Sequence, residues 1–310
     1  MGTSAEIGAF SLNTPTTILL YGRSNSGKST QIGVLAEHVF RTTGKRTRIY
    51  TADRGGINPI IPYISLGIIE AVEMGDTDPF IFLNRAANGN IRDANGKWIK
   101  DEQANDAIGC YAFESMRGIA EALMSAMAKK ASEGISIGGG ANVSFAIQGD
   151  GETLKVSGAN MAMFGVAQQK MTEEIWASQR LPAQYIIWTS SVSKDEDGVS
   201  SGKVLGPDVI GKALTAEVPR WFHYTFRIDV LPAQGGKPER HILYLGSHVD
   251  VNAGNAAGLG NIRRPLDAPA LTQATIEPAD LVKAVQLVKD SSQKSAEDAI
   301  RKRLGTSIQK

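Results

Sequence analysis

The most specific chemistry in the chain lies in one run, Gly22-Arg23-Ser24-Asn25-Ser26-Gly27-Lys28-Ser29. It fits the spacing G-x-x-x-x-G-K-[ST]. Glycine at each end lets the backbone turn tightly and approach a ligand with no Cβ in the way. The amides of Ser24 to Ser29 can then face inward as a nest for anionic oxygens. A helix starting behind them, from Thr30 onward, adds partial positive charge. Lys28 is placed to reach β- and γ-phosphates, and the Ser29 hydroxyl is a hard oxygen ligand of the kind Mg²⁺ prefers. The expected nucleotide contacts are Gly22, Arg23, Ser24, Asn25, Ser26, Gly27, Lys28, Ser29 and Thr30.

Two further groups of polar residues stand where apolar runs end. Arg46 to Ala52 reads as a strand that stops at Asp53-Arg54-Gly55-Gly56. In an open α/β sheet the C-terminal strand ends line the ligand crevice. There Asp53 either polarises an attacking water or makes a turn before two glycines. Ile108 to Phe113 reads as a buried strand ending in Glu114-Ser115. Glu114 either orients a metal ion, directly or through water, or caps the helix that follows. Gln184 to Ser191 is a third such strand, tipped by Thr189, Ser190 and Ser191. Those hydroxyls either sense a γ-phosphate or satisfy local backbone groups.

The elements that must hold these residues can be read on either side of them. Thr16 to Tyr21 is β-branched and apolar, a strand leading into the glycine loop. Thr30 to Phe40 places Ile32, Leu35, Val39 and Phe40 at helical spacing, and Gly44 stands where a helix C′ glycine is expected. Leu66 to Met74 reads as another strand, followed by a short helix over Pro79 to Ala87. Asn88 to Asn105 is turn-rich and reads as a surface insertion, with Asn95-Gly96 capping a small hairpin that carries Trp98.

Met116 to Ser132 and Met161 to Leu181 are amphipathic helices; Phe164, Ala167, Met171 and Ile175 share a face of the second. Between them, residues 133–158 read as an inserted hairpin, either a contact for DNA or a neighbouring subunit or an ordinary surface projection. Leu205 to Pro219 is a loop and short helix. Trp221–Val230 and His241–His248 form an antiparallel hairpin. The expected division is a P-loop domain over 1–270 and a helical tail over 271–310. From 281 onward Lys and Arg number seven against three Asp and Glu, which fits a basic interaction arm or a solvated helical end.

Composition sets the outer bounds. In 310 residues, 33 Lys and Arg nearly balance 32 Asp and Glu, so no overall basic field points to nucleic acid. Any such contact must rest on local patches. Cys110 is the only cysteine, which excludes an intrachain disulfide and fits a reducing cytoplasm. No apolar run reaches about 18 residues, so no membrane partner is expected. The start of the chain has no signal-peptide layout. The four histidines and Cys110 show no metal-ligand spacing.

Over roughly residues 14 to 266 these pieces resemble the RecA-like P-loop ATPases, in particular the small phage AAA-domain proteins related to phage single-strand annealing ATPases. The resemblance rests first on Gly22 to Thr30. Tyr50-Thr51-Ala52-Asp53 matches the strand carrying the family's catalytic acid, with Asp in place of the usual Glu. Phe113-Glu114-Ser115 matches the second acidic motif, with Glu in place of the usual Asp. Trp188-Thr189-Ser190-Ser191 matches the sensor strand, and Leu205-Gly206-Pro207 through Gly211-Lys212-Ala213-Leu214 a segment before the closing hairpin.

The resemblance implies a mainly parallel sheet flanked by helices, with an antiparallel C-terminal hairpin. It implies ATP and Mg²⁺ as ligands, ATP hydrolysis, single-stranded DNA as a partner and a homo-oligomer in the bacterial cytoplasm. Lys28, Asp53 and Glu114 would then be catalytic, Ser29 and Glu114 would hold the metal, and Arg263 or Arg264 would act across a subunit interface. Two other readings of the same loop stay open: a small-molecule P-loop kinase, and a non-catalytic nucleotide-dependent assembly protein.

Overall fold

The computed structural model describes residues 14–53, 55–132, 143–149, 152–158, 161–192, 206–233, 238–245, 248–250, 255–257 and 275–290. In chain order the elements begin β1 (Thr16–Gly22), α1 (Lys28–Thr43), β2 (Arg46–Thr51), α2 (Ile61–Ser65), β3 (Ile69–Glu73) and α3 (Pro79–Ala87). Next come β4 (Ile91–Arg92), β5 (Trp98–Ile99), α4 (Ala104–Ala107), β6 (Ile108–Glu114), α5 (Met116–Ser132), β7 (Val143–Gly149), β8 (Glu152–Gly158) and α6 (Met161–Ser178). The remainder is β9 (Tyr185–Val192), β10 (Pro207–Asp208), α7 (Lys212–Glu217), β11 (Tyr224–Leu231), β12 (Arg240–Tyr244), β13 (His248–Asp250), β14 (Asn255–Ala257) and β15 (Thr275–Ile276). Residues 281–290 are helical.

The main sheet runs β15-β12-β11-β1-β9-β6-β2-β3, with β10 paired to β9. From β11 to β3 the neighbours are parallel. β12 and β15 close the other edge in antiparallel fashion. This is the expected arrangement: a mostly parallel sheet between helices, a closing antiparallel hairpin, and the inserted hairpin β7–β8.

Alternation along the central strands explains the layers, because successive strand side chains point to opposite faces. Ile18, Leu20, Ile49, Cys110, Ala112 and Ile187 join one core with Ile32, Leu35 and Val39 of α1. Leu19, Tyr50, Tyr111, Phe113, Ile186 and Trp188 join the other with α3, α5 and α6. Both faces are covered, so these strands read in the sequence as continuous apolar runs. On the second face Tyr50, Phe113 and Trp188 stack across three strands, with centroids 5.4 and 4.4 Å apart. Trp188 Nε1 donates to Ser178 Oγ at 3.0 Å, so its polar edge is satisfied.

Several expectations shift. Phe40 and Phe164, assigned to buried helix faces, are 38 and 37 % exposed. Each lies at the edge of its apolar stripe, where periodicity alone does not separate core from rim. α6 ends at Ser178, before Pro182. The chain beyond 271 supplies a strand pairing with β12 and a helix whose Leu281, Ala284, Val285 and Val288 pack into the α1-side core.

The stretch 88–105 forms the expected small hairpin, but it is tied into the body rather than laid on the surface. Arg48, 1 % exposed, donates to Gly89 O at 3.0 Å, to Glu70 Oε2 at 3.0 Å and to Asp101 Oδ2 at 2.5 Å. Trp98 packs edge-on against Phe82. Removing one partner of a buried guanidinium leaves its charge poorly compensated. Asp101→Ala is therefore expected to lower stability by about 2 kcal/mol. A urea denaturation series with an unchanged midpoint would contradict this.

Candidate functional site

Strand register carries the polar tips to one edge. Thr51 pairs with Glu114, Phe113 with Trp188, and Leu20 with Thr189. The residues that follow these positions therefore open on one side of the sheet, above the start of α1. They surround a cavity of about 390 Å³ lined by Ser24, Asn25, Gly27–Thr30, Asp53, Gly55, Gly56, Pro59, Glu114, Ser115 and Thr189–Ser191. Lys28, Ser29, Asp53, Glu114 and the three hydroxyl residues, distant in sequence, thus meet at one place. Arg263 and Arg264 lie outside the described residues.

The glycine loop has the backbone its sequence requires. Gly27 has φ +95° and Asn25 φ +60°, both in the left-handed region. A Cβ on Gly22 would lie 2.1 Å from the Ile228 carbonyl oxygen, so nothing larger fits there. Lys28 Nζ donates to Gly22 O at 3.0 Å and to Arg23 O at 2.8 Å, folding the side chain back over the loop. Burial holds its ammonium below the ordinary lysine value, while the Glu114 carboxylate draws it back up.

Glu114 is 4 % exposed. Ser29 Oγ donates to its Oε1, while its Oε2 is buried with no hydrogen-bond partner. Burial pushes this carboxyl up from 4.5 to about 7; the Ser29 bond and Lys28 act to lower it, and Asp53 to raise it. A hydroxyl and a carboxylate side by side, with one carboxylate oxygen unpartnered, form a hard oxygen set that fits Mg²⁺.

Asp53 lines the cavity but also does local work. Its Oδ1 accepts from Gly55 N at 2.9 Å, and its carbonyl accepts from Gly56 N at 3.3 Å. The turn that the sequence allowed for Asp53 is therefore present, and the same residue lines the cavity. Ser115 adopts φ +67°, uncommon for a non-glycine residue. Its N–H donates to Thr189 Oγ1 at 2.9 Å, and its Oγ accepts from Gly118 N at 2.9 Å. Glu114 is thus the last strand residue, and Ser115 rather than Glu114 caps α5.

Sequence reasoning missed what sits behind the tips. Ser190 Oγ donates to Asp208 O at 2.7 Å, and Ser191 Oγ lies 3.4 Å from Asp208 Oδ2. Arg117 Nη1 meets Asp208 Oδ1 at 3.1 Å. Two hydroxyls at the tip of β9 are therefore engaged by β10, across a chain separation that no local pattern signals. Gln31, one turn into α1, donates to Ala279 O at 2.9 Å and accepts from Leu281 N at 2.7 Å. A glutamine on an apolar helix face was the available signal.

No family model matches the chain, and no curated protein matches it in sequence. Among solved structures it is similar to the RadB recombinase at 13 % identity, covering 79 % of this chain and 84 % of that one, with a TM-score of 0.39. It is similar also to a KaiC-like protein from the hyperthermophilic archaeon Pyrococcus horikoshii OT3, at 13 % identity over 74 % of this chain and 77 % of that one, with a TM-score of 0.34. Among the described residues no helix is long and apolar enough to cross a membrane.

Proposed function

We propose that the protein binds ATP with Mg²⁺ and hydrolyses it, and that single-stranded DNA, engaged by a homo-oligomer, stimulates the hydrolysis. The observation that carries the nucleotide reading is the meeting of Ser29 and Glu114 at the floor of a cavity whose wall is the glycine loop and Lys28. Loop amides and the Lys28 ammonium would hold the β- and γ-phosphates, orienting the terminal phosphate between Asp53 and the sensor strand. Ser29 and Glu114 would hold the cation, which when bound neutralises charge on the phosphate oxygens. Asp53, which lines the cavity, would orient a water for attack. Thr189, already accepting from Ser115 N, would report the terminal phosphate to the start of α5.

The DNA half of the proposal draws on the motif order and the resemblance it supports. The discriminating experiment measures phosphate release by the purified protein with and without single-stranded oligonucleotide at low salt, alongside its mass in solution. Stimulation together with a multimer supports the whole reading. Turnover indifferent to DNA, with no mobility shift, removes the DNA role and leaves the ATPase. Nucleotide binding without turnover would favour an assembly protein, and transfer to a nucleoside acceptor a kinase.

A further inference from the structure

His241 lies on β12, opposite Val230 of β11, and its side chain reaches under the glycine loop. Its Nδ1 is 2.9 Å from the Ser26 carbonyl oxygen. A carbonyl only accepts, so Nδ1 carries the proton in this contact. The ring also lies close to Gly27, where a Cβ would stand 3.4 Å from Nδ1.

The peptide joining Ser26 to Gly27 is planar and trans, so its C=O and N–H point in opposite directions. Holding the Ser26 oxygen toward β12 therefore aims the Gly27 N–H the other way, toward the cavity that Gly27 lines. The lock matters because of the residue types. Rotating this peptide changes φ of Gly27, and glycine accepts positive and negative φ with similar ease. With φ at +95° the present orientation is one of several open to the loop. A side-chain donor from another element selects among them. His241 is itself held: its carbonyl accepts from Ala279 N at 2.9 Å, and Ala279 O accepts from Gln31 of α1 at 2.9 Å. The strand, the segment at 279–281 and the helix behind the loop thus brace one another.

We propose that His241 is a positioning residue for the phosphate loop, its Nδ1–H fixing the Ser26–Gly27 peptide so that the Gly27 amide faces the nucleotide phosphates. The inference rests on reading the cavity as an ATP site. The test compares His241→Ala, His241→Asn and His241→Gln for binding of Mg-ATP, for turnover and for thermal melting. Asparagine carries an N–H donor at the same number of bonds from Cβ as Nδ1; glutamine carries it one bond further.

The alanine and glutamine variants should bind Mg-ATP about tenfold more weakly, the asparagine variant within about threefold of the parent, and all three should melt alike. Asparagine and glutamine behaving alike, or alanine binding as the parent does, would overturn the assignment. Failure of the parent to bind Mg-ATP would instead strike the ATP reading. The ¹⁵N-resolved Gly27 amide resonance of the nucleotide-free protein then decides the positioning role: displaced in the alanine variant and restored by asparagine supports it, and unmoved in both refutes it.

Discussion

Lys28→Ala is expected to lower ATP turnover at least about 100-fold, the scale on which one preorganised charge donor contributes to a transition state. The loop amides that remain are neutral dipoles, and they cannot replace a full charge against the terminal phosphate. The fold should not suffer. Burial already depresses the Lys28 ammonium, so removing it relieves a desolvation cost and loses two hydrogen bonds to backbone oxygens. Phosphate release and thermal melting of the purified variant check both halves. Turnover within a factor of three of the parent would exclude a phosphate-binding role for this lysine.

Glu114→Gln should likewise abolish Mg-dependent turnover, and it carries a distinctive signature in pH. The native carboxyl is raised from 4.5 to about 7, chiefly by burial, so the folded state holds its proton more tightly than the unfolded chain does. The contribution to nucleotide-free stability is complete below about pH 4.5 and is lost as pH rises through about 7. Its ceiling is about 3 kcal/mol. The glutamine variant keeps a neutral side chain of the same size and lacks this loss. At pH 8 it should therefore melt above the parent, while at pH 5 the two converge.

Binding runs in the opposite sense. A cation needs the carboxylate form, so the affinity of the parent for Mg-ATP should rise with pH until about 7 and level off above it, with protons released on binding below that point. Calorimetry in two buffers of different ionisation heat reads the protons directly. A parent that gains stability relative to the variant between pH 6 and 8 would show that Glu114 is not a buried, proton-holding acid.

Much of this site was legible before the fold was known, for identifiable reasons. The glycine loop announces itself because its geometry needs special residues at fixed spacing: glycine where φ is positive or a backbone comes close, lysine and a hydroxyl where a phosphate and its cation would sit. The candidate acids were found by a second local rule, that an apolar run ending in a polar residue is a strand delivering that residue to an edge. Asp53, Glu114 and Thr189–Ser191 all follow it. The two inserted hairpins were also readable, from turn residues between alternating runs.

What stayed hidden depends on pairing across long separations. Whether Asp53 turned its own loop or faced the cavity was undecidable from Asp-Arg-Gly-Gly, and the fold lets it do both. Nothing local marks Arg48 within the strand Arg46 to Ala52, yet it is buried because Glu70, Gly89 and Asp101 converge on it. His241 gave no metal spacing and no motif; its place beneath the loop follows from β12 returning beside β11, itself adjacent to β1.

The sequence by itself determined the backbone character of Gly22–Ser29, the apolar strands that carry the acids, and the chemical types available at their tips. These are local matters, governed by allowed dihedrals and by the period of the hydrophobic pattern. The tertiary structure decided which tips share a cavity, that Glu114 meets Ser29 while keeping one oxygen unpartnered, and which side chain braces the loop from behind. Those outcomes follow from strand order and register. Both are fixed by packing two cores on opposite faces of one sheet, a condition satisfied only by the whole chain at once.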